Sequence, residues 1–249
     1  MDIIYTIWLR SMKRYVRSKS RIIGSLGMPL FFLLAVGFGL NSVVNMPGMS
    51  HGYIGFIIPG IVAMSILFTS MFSGIQIIWD KQFGFLKETL VAPVSRTEIM
   101  LGQTVGGAST ALIQGLIILV ISLFIGLRPD SVIGFAIAFV FMILTGLAFT
   151  ALGIAMASKM DDMHGFQLIM NFVIFPIFGL SGALFPIDSL PPWVKTLTLL
   201  DPLTYGVEGI RYGLLGTTQI NPLISFAALG AFTLVMIVFG SYLFKKISI

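Results

Sequence analysis

The sequence predicts an all-α integral membrane protein with six transmembrane helices, and two observations support that prediction. Hydrophobic residues make up 57% of the 249-residue chain, charged residues make up only 10%, and the mean hydropathy is +1.00. A soluble domain carries roughly 25% charged residues, so this chain has too few to cover a surface in water. Six apolar stretches are also long enough for bilayer-spanning helices, which need about 20 residues each.

The six apolar stretches give the predicted helices their bounds. Each stretch lacks Asp, Glu, Lys, Arg and His and spans roughly 19–27 residues, the length that a transmembrane helix requires. None shows the period-two alternation that is typical of a strand in an outer-membrane barrel. The predicted spans are residues 22–40, 53–78, 99–125, 132–157, 166–185 and 222–244.

The distribution of basic residues predicts the orientation. Twelve of the fifteen Lys and Arg residues lie before the first span, between the second and third, between the fourth and fifth, and after the sixth. The positive-inside rule places these segments, and therefore both termini, in the cytoplasm. The placement of these residues therefore explains the net charge of +5, and the charge predicts no nucleic-acid partner. We expect a multi-pass protein of the cell (inner or plasma) membrane, in contact with lipid. The absence of Cys excludes disulfide frameworks and thiol catalysis.

Residues 1–21 are predicted to form an amphipathic helix at the membrane surface. Its basic face comprises Arg10, Lys13, Arg14, Arg17 and Arg21. Apolar side chains such as Trp8 and Tyr15 fall on the opposite face. A helix of this kind lies in the interface, with its cations toward anionic headgroups. Both a topology anchor and a mechanical link to a cytoplasmic partner fit this pattern.

The loop at residues 79–98 has the composition of a docking surface. Its charged side chains, which we expect to be exposed, are Asp80, Lys81, Lys87 and Glu88. Its large apolar side chains are Phe83, Phe85, Leu86 and Leu90. A plain connection does not need four large apolar side chains in water, so we expect a patch for a partner; folding back onto the membrane interface is the alternative. Ser95 and Glu98 form a capping box that starts the third membrane helix.

Residues 186–220 are too long for a turn and too apolar for a solvated loop. Asp201 followed by Pro202 predicts a helix N-cap and first turn, and the spacing of Glu208 and Arg211 allows them to pair on one helix face. We expect two short helices that re-enter the outer leaflet under the protection of the surrounding protein. They would form a lid structurally and an outer gate functionally. The candidate gate residues are Pro186, Trp193, Asp201, Glu208 and Arg211.

Polar residues within the predicted spans are uncharged. The absence of titratable groups there argues against a proton- or sodium-coupled carrier. Gly102 and Gly106 form a Gly-x-x-x-Gly pattern that predicts close helix packing. Other polar residues recur on one face of the second span beside two phenylalanines, and they either line a path or make helix-packing hydrogen bonds. This group comprises Phe68, Thr69, Phe72, Ser73 and Gln76.

Two separated segments of the chain resemble those of ABC-2 type transporter permeases. Residues 83–96 read Phe-Gly-Phe-Leu-Lys-Glu-Thr-Leu-Val-Ala-Pro-Val-Ser-Arg, and Leu101-Gly102 follows; they resemble the family's cytoplasmic coupling loop. Residues 181–193 read Ser-Gly-Ala-Leu-Phe-Pro-Ile-Asp-Ser-Leu-Pro-Pro-Trp, with Asp-Pro-Leu-Thr-Tyr at 201–205 and Gly-Ile-Arg at 209–211; they resemble the outer segment after the fifth helix. The resemblance covers the whole chain and is nearest to the drug-resistance branch, the daunorubicin-exporter type of membrane subunit.

The resemblance implies a machine of several chains. Such permeases work as a pair of six-helix subunits with two copies of a separate ATP-binding subunit, which holds ATP and Mg²⁺. Residues 1–21 would then be the connecting helix, and a coupling helix seated in a groove of the ATPase would lie near residues 82–90. The chain contains no Gly-x-x-x-x-Gly-Lys-Ser/Thr phosphate loop, so we expect it to bind no cofactor itself. The residues implied in coupling are Gln82, Phe83, Phe85, Leu86, Lys87, Glu88 and Leu90.

The resemblance also implies where a substrate passes. In related permeases the second and fifth helices line the path between subunits, and the matching candidates here are Phe68, Thr69, Phe72, Asn171, Phe175 and Phe178. We therefore expect residues 1–249 to form one transmembrane domain, without a catalytic site of its own. It would export a hydrophobic or amphipathic molecule, drug-like or lipid, from the cytoplasm or inner leaflet. A polysaccharide or lipid-linked glycan is the alternative cargo.

Two other classes of protein stay open from the residues alone. Residues 179–182 match the Gly-x-Ser-Gly pattern of intramembrane serine proteases, with Ser181 as the nucleophile. Such a serine needs a base within hydrogen-bond reach, whereas His164 lies roughly 25 Å away along the same predicted helix. His51 and His164 without clustered carboxylates predict no metal site. A passive channel is disfavoured because no ring-forming charged motif occurs.

Overall fold

The computed structural model describes residues 3–41, 52–86, 89 and 94–247. These residues are mostly helical, and no strand occurs among them. A 3₁₀ turn, Ile187–Ser189, lies between two of the helices. We number the helices in chain order as α1 Ile3–Arg17, α2 Lys19–Asn41, α3 Gly52–Gln82, α4 Arg96–Ile125, α5 Val132–Ser158, α6 Met163–Leu180, α7 Pro192–Leu200, α8 Pro202–Leu215 and α9 Pro222–Lys245.

Six helices of the described chain are long and apolar enough to cross a membrane, and they match the six predicted spans. They are α2, α3, α4, α5, α6 and α9. The all-α class and the number of spans are therefore confirmed. The fifth span differs from its prediction, because α6 ends at Leu180 and not at Phe185. The chain leaves the helix at Gly182, whose φ of +69° suits glycine and stops the helix although the sequence stays apolar.

The amphipathic N-terminal helix is shorter than the predicted 1–21. It ends at Arg17, and Ser18 has φ −98° and ψ 70°, outside the helical region. Arg21 therefore lies in α2 and not on the basic face of α1. This correction places basic side chains from two helices near one another.

Helix α1 packs closely along α4, and glycines make this approach possible. A Cβ built on Gly102 would lie 3.0 Å from Ile7 Cβ, and one on Gly106 would lie 2.7 Å from Ser11 Oγ. The Gly-x-x-x-Gly pattern is thus confirmed as a close-packing site. Its partner is the amphipathic helix of the same chain.

Two hydrogen bonds fasten α1 to α4. Trp8 Nε1 donates to Ser109 Oγ at 3.0 Å, and the Tyr15 hydroxyl donates to Gln114 Oε1 at 2.8 Å. Tyr15 is buried against the bundle, whereas the sequence predicted that the N-terminal helix lies at the membrane surface. The reason is that α4 supplies both the small residues and the polar partners that this face requires.

Helix α3 forms the centre of the bundle. In its most apolar stretch, 83% of the residues are buried, and the helix packs against α4, α5 and α8. It crosses α5 at a contact between glycines, where a Cβ on Gly74 would lie 2.4 Å from Gly153 O and one on Gly153 would lie 2.5 Å from Met71 O. The backbones touch at this crossing, so the C-terminal turns of α3 lie against α5.

Local capping signals start two helices where the sequence predicted. Ser95 Oγ accepts from Glu98 N at 3.2 Å, and Glu98 Oε2 accepts from Ser95 N at 2.9 Å, which completes the capping box of α4. Asp201 Oδ1 accepts from Leu203 N at 2.9 Å, and Pro202 is the first residue of α8.

The two short helices predicted in residues 186–220 are both present, in different surroundings. Helix α8 packs among α5, α9 and α3, and most of its residues are buried. A Cβ on Gly213 of α8 would lie 2.5 Å from Ala138 N of α5, so this contact is also backbone to backbone. Helix α7 lies at the surface, where Trp193 is exposed.

Candidate functional site

We call the end of the bundle that carries residues 79–98 the loop end. There a buried carboxylate links α3 to α1. Asp80 is only 4% exposed. Its Oδ1 accepts from Arg10 Nη2 at 2.8 Å and from Gln76 Nε2 at 2.7 Å. The prediction that Asp80 is exposed is therefore wrong, because α1 folds back over this end and supplies the matching cation. Charge-assisted bonds of this kind are among the stronger side-chain contacts.

Lys81 joins the same end of α3 to the C-terminus of α5. Its Nζ donates to Ser158 O at 3.0 Å and to Met160 O at 3.1 Å, and it pairs with Asp161 Oδ1 at 3.1 Å. The expectation that Lys81 is exposed is also wrong: its side chain is 13% exposed, because a helix C-terminus offers free carbonyls to a cation. Gln82 Nε2 adds a bond to Asp161 O at 2.8 Å.

Three aromatic side chains form an exposed surface beside these contacts, which we call the aromatic patch. Phe83 is 64% exposed and Phe85 is 53% exposed, as predicted for a docking surface. Trp79 completes the patch, with its ring centroid 5.5 Å from that of Phe83. The Arg10 guanidinium lies 6.0 Å from the centre of the Phe85 ring. Sequence reasoning missed Trp79, although an aromatic residue directly after an apolar span was a usable signal.

The other predicted coupling residues have different outcomes. Leu86 is buried, with 2% exposure, and belongs to the hydrophobic core. Its predicted role on an exposed docking surface is thus wrong, because an apolar side chain that can reach the core is buried there. Lys87, Glu88 and Leu90 lie outside the described residues, and their assignments stay predictions.

A cavity of about 480 Å³ lies between α1, α2, α3 and α4. Three predicted path residues line it, namely Phe68, Thr69 and Phe72. The polar residues Gln76, Gln103 and Thr110 also line it. Helices α1 and α2 contribute Arg10, Arg14 and Arg21. Its size suits a small ligand or part of a larger one.

The predicted path residues of α6 are not all placed alike. Phe175 meets Phe68 of α3 edge to face, with ring centroids 5.9 Å apart, so α3 and α6 adjoin as expected. Asn171 is half-buried on α6. Phe178 is 3% exposed and packs against Phe32 of α2 at 5.6 Å. In this structure Phe178 is a core residue, and its assignment to the path stays a prediction.

Residues 186–220 contain a buried ion pair where the sequence spacing predicted one. Glu208 and Arg211 pair at i, i+3, and both side chains are essentially unexposed. Arg211 Nη2 also donates to Gly182 O at 2.9 Å, and its guanidinium lies 4.0 Å from the centre of the Phe56 ring. Glu208 Oε2 accepts from Gln219 N at 2.6 Å. The pair therefore joins α8 to α3 and to the turns after α6 and α8.

The other predicted gate residues lie apart from this pair. Trp193 is 70% exposed on α7. Pro186 precedes the 3₁₀ turn, and its carbonyl accepts from Ser189 N at 3.1 Å. Asp201 is buried at the junction of α7 and α8. Of the five candidate gate residues, the structure therefore pairs only Glu208 with Arg211, and the gating role of all five stays a prediction.

Asp201 is expected to make stability depend on pH. Burial raises its pKa from 3.8 to about 8, although the Leu203 N–H opposes this rise. The folded protein therefore holds a proton that the unfolded chain releases between pH 3.8 and about 8. The free energy of unfolding should fall as pH rises through this window and level off above it. Asp201→Asn, which keeps the N-cap acceptor, should remove this pH dependence in detergent unfolding experiments; an unchanged slope would contradict the assignment.

Ser181 does not have the surroundings of a nucleophile. Its side chain is fully buried at the C-cap of α6. Its hydroxyl donates to Phe178 O at 2.7 Å, which is a local bond to a carbonyl and not a bond to a base. This geometry argues against the intramembrane serine hydrolase.

Comparison with known proteins identifies the family. A family model described as ABC-2 type transporter matches residues 3–215, which include α1, the loop end and α8. The chain belongs to the ABC-2 type transporter family. It is therefore an ABC-2 transport permease, a multi-pass membrane subunit of a kind that associates with an ATP-binding subunit.

Three relatives illustrate the breadth of this permease family. The inner membrane transport permease YadH of Escherichia coli K12 is 29% identical, over 91% of this chain and 88% of its own. The transport permease ycf38 of Porphyra purpurea is 31% identical, over 79% of this chain and 68% of its own. Nodulation protein J of Rhizobium leguminosarum bv. trifolii is 29% identical, over 84% of this chain and 80% of its own. The matches span most of each chain.

Proposed function

We propose that this permease is the membrane-spanning subunit of an ATP-driven exporter, in which two copies pair and two ATP-binding subunits supply the energy. The observation that carries the proposal is the aromatic patch, where two phenylalanines are more than half exposed at a helix end. Exposed apolar clusters beside charged residues are typical of surfaces that a partner covers. We assign ATP and Mg²⁺ to the partner because this chain lacks a phosphate loop.

The contacts behind the patch support a route by which the partner's motion reaches the bundle. Arg10 and Asp80 link the patch to α1, and Lys81 links it to the turn between α5 and α6. A displacement of the patch would therefore shift α1, α3 and α5 together, since each link is a charge-assisted contact. In the proposed cycle this shift alternates the bundle between inward and outward openings.

The loop end faces the cytoplasm in this proposal. Most Lys and Arg residues lie at that end or in segments expected on the same side, as the positive-inside rule requires. The residues at 186–220 then lie at the outer face, where the Glu208–Arg211 pair fastens the proposed gate. A relative named as an inner membrane permease supports the cell membrane as the location.

The proposed cargo is a hydrophobic or amphipathic molecule, as in the drug-resistance branch of the family. The aromatic contact between Phe68 and Phe175 supports a path along α3 and α6, which would face the second copy. Aromatic surfaces take up apolar groups without strict geometric demands. A lipid-linked glycan is the second candidate, because the polar residues Gln76 and Gln103 line the adjoining cavity and suit a polar head.

The docking assignment predicts the loss of the ATPase in one variant. Phe83→Asp combined with Phe85→Asp should leave the permease folded, because both side chains are exposed. The amount of ATP-binding subunit that is recovered with the permease in mild detergent should fall about tenfold or more, since aromatic anchors contribute about 2 kcal/mol or more at an interface. Unchanged recovery of the subunit would contradict the docking assignment.

A matched control comes from the opposite end of the molecule. Trp193 is an equally exposed aromatic residue, and Trp193→Asp should leave the recovery of the ATPase unchanged. Leu86→Asp is unsuitable as a docking variant, because it places a charge in the core and should destabilise the fold itself.

A further inference from the structure

The cavity between α1, α2, α3 and α4 has an excess of positive charge. Three arginines line it, and no Asp or Glu occurs among the described residues of its lining. Arg10 is paired with Asp80. Arg14 and Arg21 have no ion-pair partner among the described residues. The net surplus at the cavity is therefore two guanidinium groups, which invites an anion.

The surroundings of Arg14 strengthen that conclusion. Arg14 is an exposed residue of α1, but partial burial, and then the neighbouring Arg10, lower its pKa from the ordinary value, while Asp80 opposes this change. A guanidinium stays charged under these conditions, and the Asp80 carboxylate is already paired with Arg10. Guanidinium groups bind phosphate and carboxylate through paired N–H donors. A bound anion would supply the missing counter-charge.

The rest of the cavity is suited to an apolar chain and to neutral polar groups. Met28, Pro29, Phe68 and Phe72 provide apolar walls, and the amide of Gln103 provides a polar contact. The cavity thus combines a cationic side on α1 and α2 with an apolar side on α3. A free inorganic ion would leave these apolar walls unused.

We infer that this cavity binds the phosphate-bearing head of an amphipathic molecule drawn from the leaflet at the loop end. Arg14 and Arg21 contact the anion, and Phe68 and Phe72 contact the start of the hydrocarbon chain. The inference names the substrate class of the proposed exporter, and it rests on that proposed function for the transport step alone. Binding itself is a property of this chain.

The position of Arg10 connects this site to the aromatic patch. Arg10 lines the cavity, holds Asp80 at 2.8 Å and lies 6.0 Å from the Phe85 ring centre. Arg10 uses Nη2 for Asp80, so its other N–H groups can donate to an anion beside Arg14. A bound anion would thereby contact the residue that links α1 to α3 at the surface proposed for the ATPase.

The test compares lysophosphatidic acid with lysophosphatidylcholine on the purified full-length chain. Binding is measured by native mass spectrometry from a neutral detergent. We expect lysophosphatidic acid to bind and the zwitterionic lipid to bind about tenfold more weakly or less. Arg14→Gln with Arg21→Gln should weaken the binding of lysophosphatidic acid about tenfold or more. Arg17→Gln with Lys19→Gln removes the same charge from α1 and α2 outside this cavity and should change binding less than about twofold.

A second pair of variants tests the cavity without changing charge. Gly24 lines the cavity, and a Cβ there would meet no described residue within 4 Å, so Gly24→Leu should fill the space without disturbing the fold. A Cβ on Gly27 would also meet none of the described residues, but Gly27 is not part of the lining, and Gly27→Leu is the control. We expect Gly24→Leu alone to abolish binding of lysophosphatidic acid.

Three results would overturn the inference. The first is an equal loss of lysophosphatidic acid binding in the two double variants. The second is normal binding of this lipid by Gly24→Leu. The third is that inorganic phosphate binds as tightly as lysophosphatidic acid, which would indicate a site for free anions. Recovery of the ATP-binding subunit is measured on the same variants. If that subunit is retained while lipid binding fails the test, the substrate class is wrong and the proposed exporter stands; if the subunit is absent from the unmodified chain, the proposed function itself fails.

Discussion

Arg211→Met is expected to lower the free energy of unfolding by roughly 3–5 kcal/mol. Removal of the guanidinium leaves Glu208 buried without a cation and leaves Gly182 O without its donor. The Phe56 ring also loses its cation–π contact. The measurement is equilibrium unfolding by denaturant of the detergent-purified chain. A loss below about 1 kcal/mol would contradict the view that this pair holds the ends of the helices together.

Two controls separate the buried pair from a general charge effect. Lys195 and Asp188 also pair, at 2.7 Å, but their side chains are 43% and 66% exposed. Lys195→Met should therefore cost less than about 1 kcal/mol. Adding Glu208→Gln to Arg211→Met should recover part of the lost stability, because the uncompensated buried charge is removed.

Gly153→Leu is expected to reduce the free energy of unfolding by more than about 3 kcal/mol, at or beyond the upper end for an overpacked core. Its Cβ would lie 2.5 Å from Met71 O, and neither backbone can move without separating α3 from α5. Lys81 binds the carbonyl of Ser158 at the end of α5, so its contacts would shift as well. Thermal unfolding and hydrogen exchange of α3 would measure both effects.

The matched control for this prediction is another helical glycine. A Cβ on Gly179 of α6 would meet no atom of the described part of the chain within 4 Å. Gly179→Leu should change stability by no more than about 1 kcal/mol, and in the stabilising direction, because leucine favours the helix more than glycine does. Similar losses in the two variants would show that the α3–α5 crossing is not the cause.

The membrane helices could be predicted because their signal is local. A bilayer-spanning helix needs about 20 apolar residues in a row, and this requirement is visible without knowledge of any neighbour. Ser95 with Glu98, and Asp201 with Pro202, marked helix starts for the same reason, since a cap forms within one turn. The end of α6 was predicted wrongly because the sequence stays apolar past Gly182. The positive φ of Gly182, and not a change in hydropathy, ends the helix there.

The loop end was predicted only in part, and the failures share a cause. Phe83 and Phe85 are exposed as their setting suggested, but Asp80 and Leu86 are buried and Lys81 is half-buried. Asp80 meets Arg10 from 70 residues earlier in the chain, and Lys81 meets carbonyls more than 70 residues later. Sequence composition identifies a charged side chain and gives no information about the distant partner that allows its burial.

The sequence by itself determined the class of this protein: its composition, six apolar spans, basic distribution and two motif segments led to an ABC-2 permease. Only the tertiary structure decided which face of α1 packs on α4, which charges are paired, and that Arg14 and Arg21 reach one cavity. The physical reason is the distance along the chain over which each interaction acts. Hydrophobic length and helix capping act over one or two turns, whereas ion pairs, glycine crossings and cavities depend on residues that the fold brings together from distant parts of the chain.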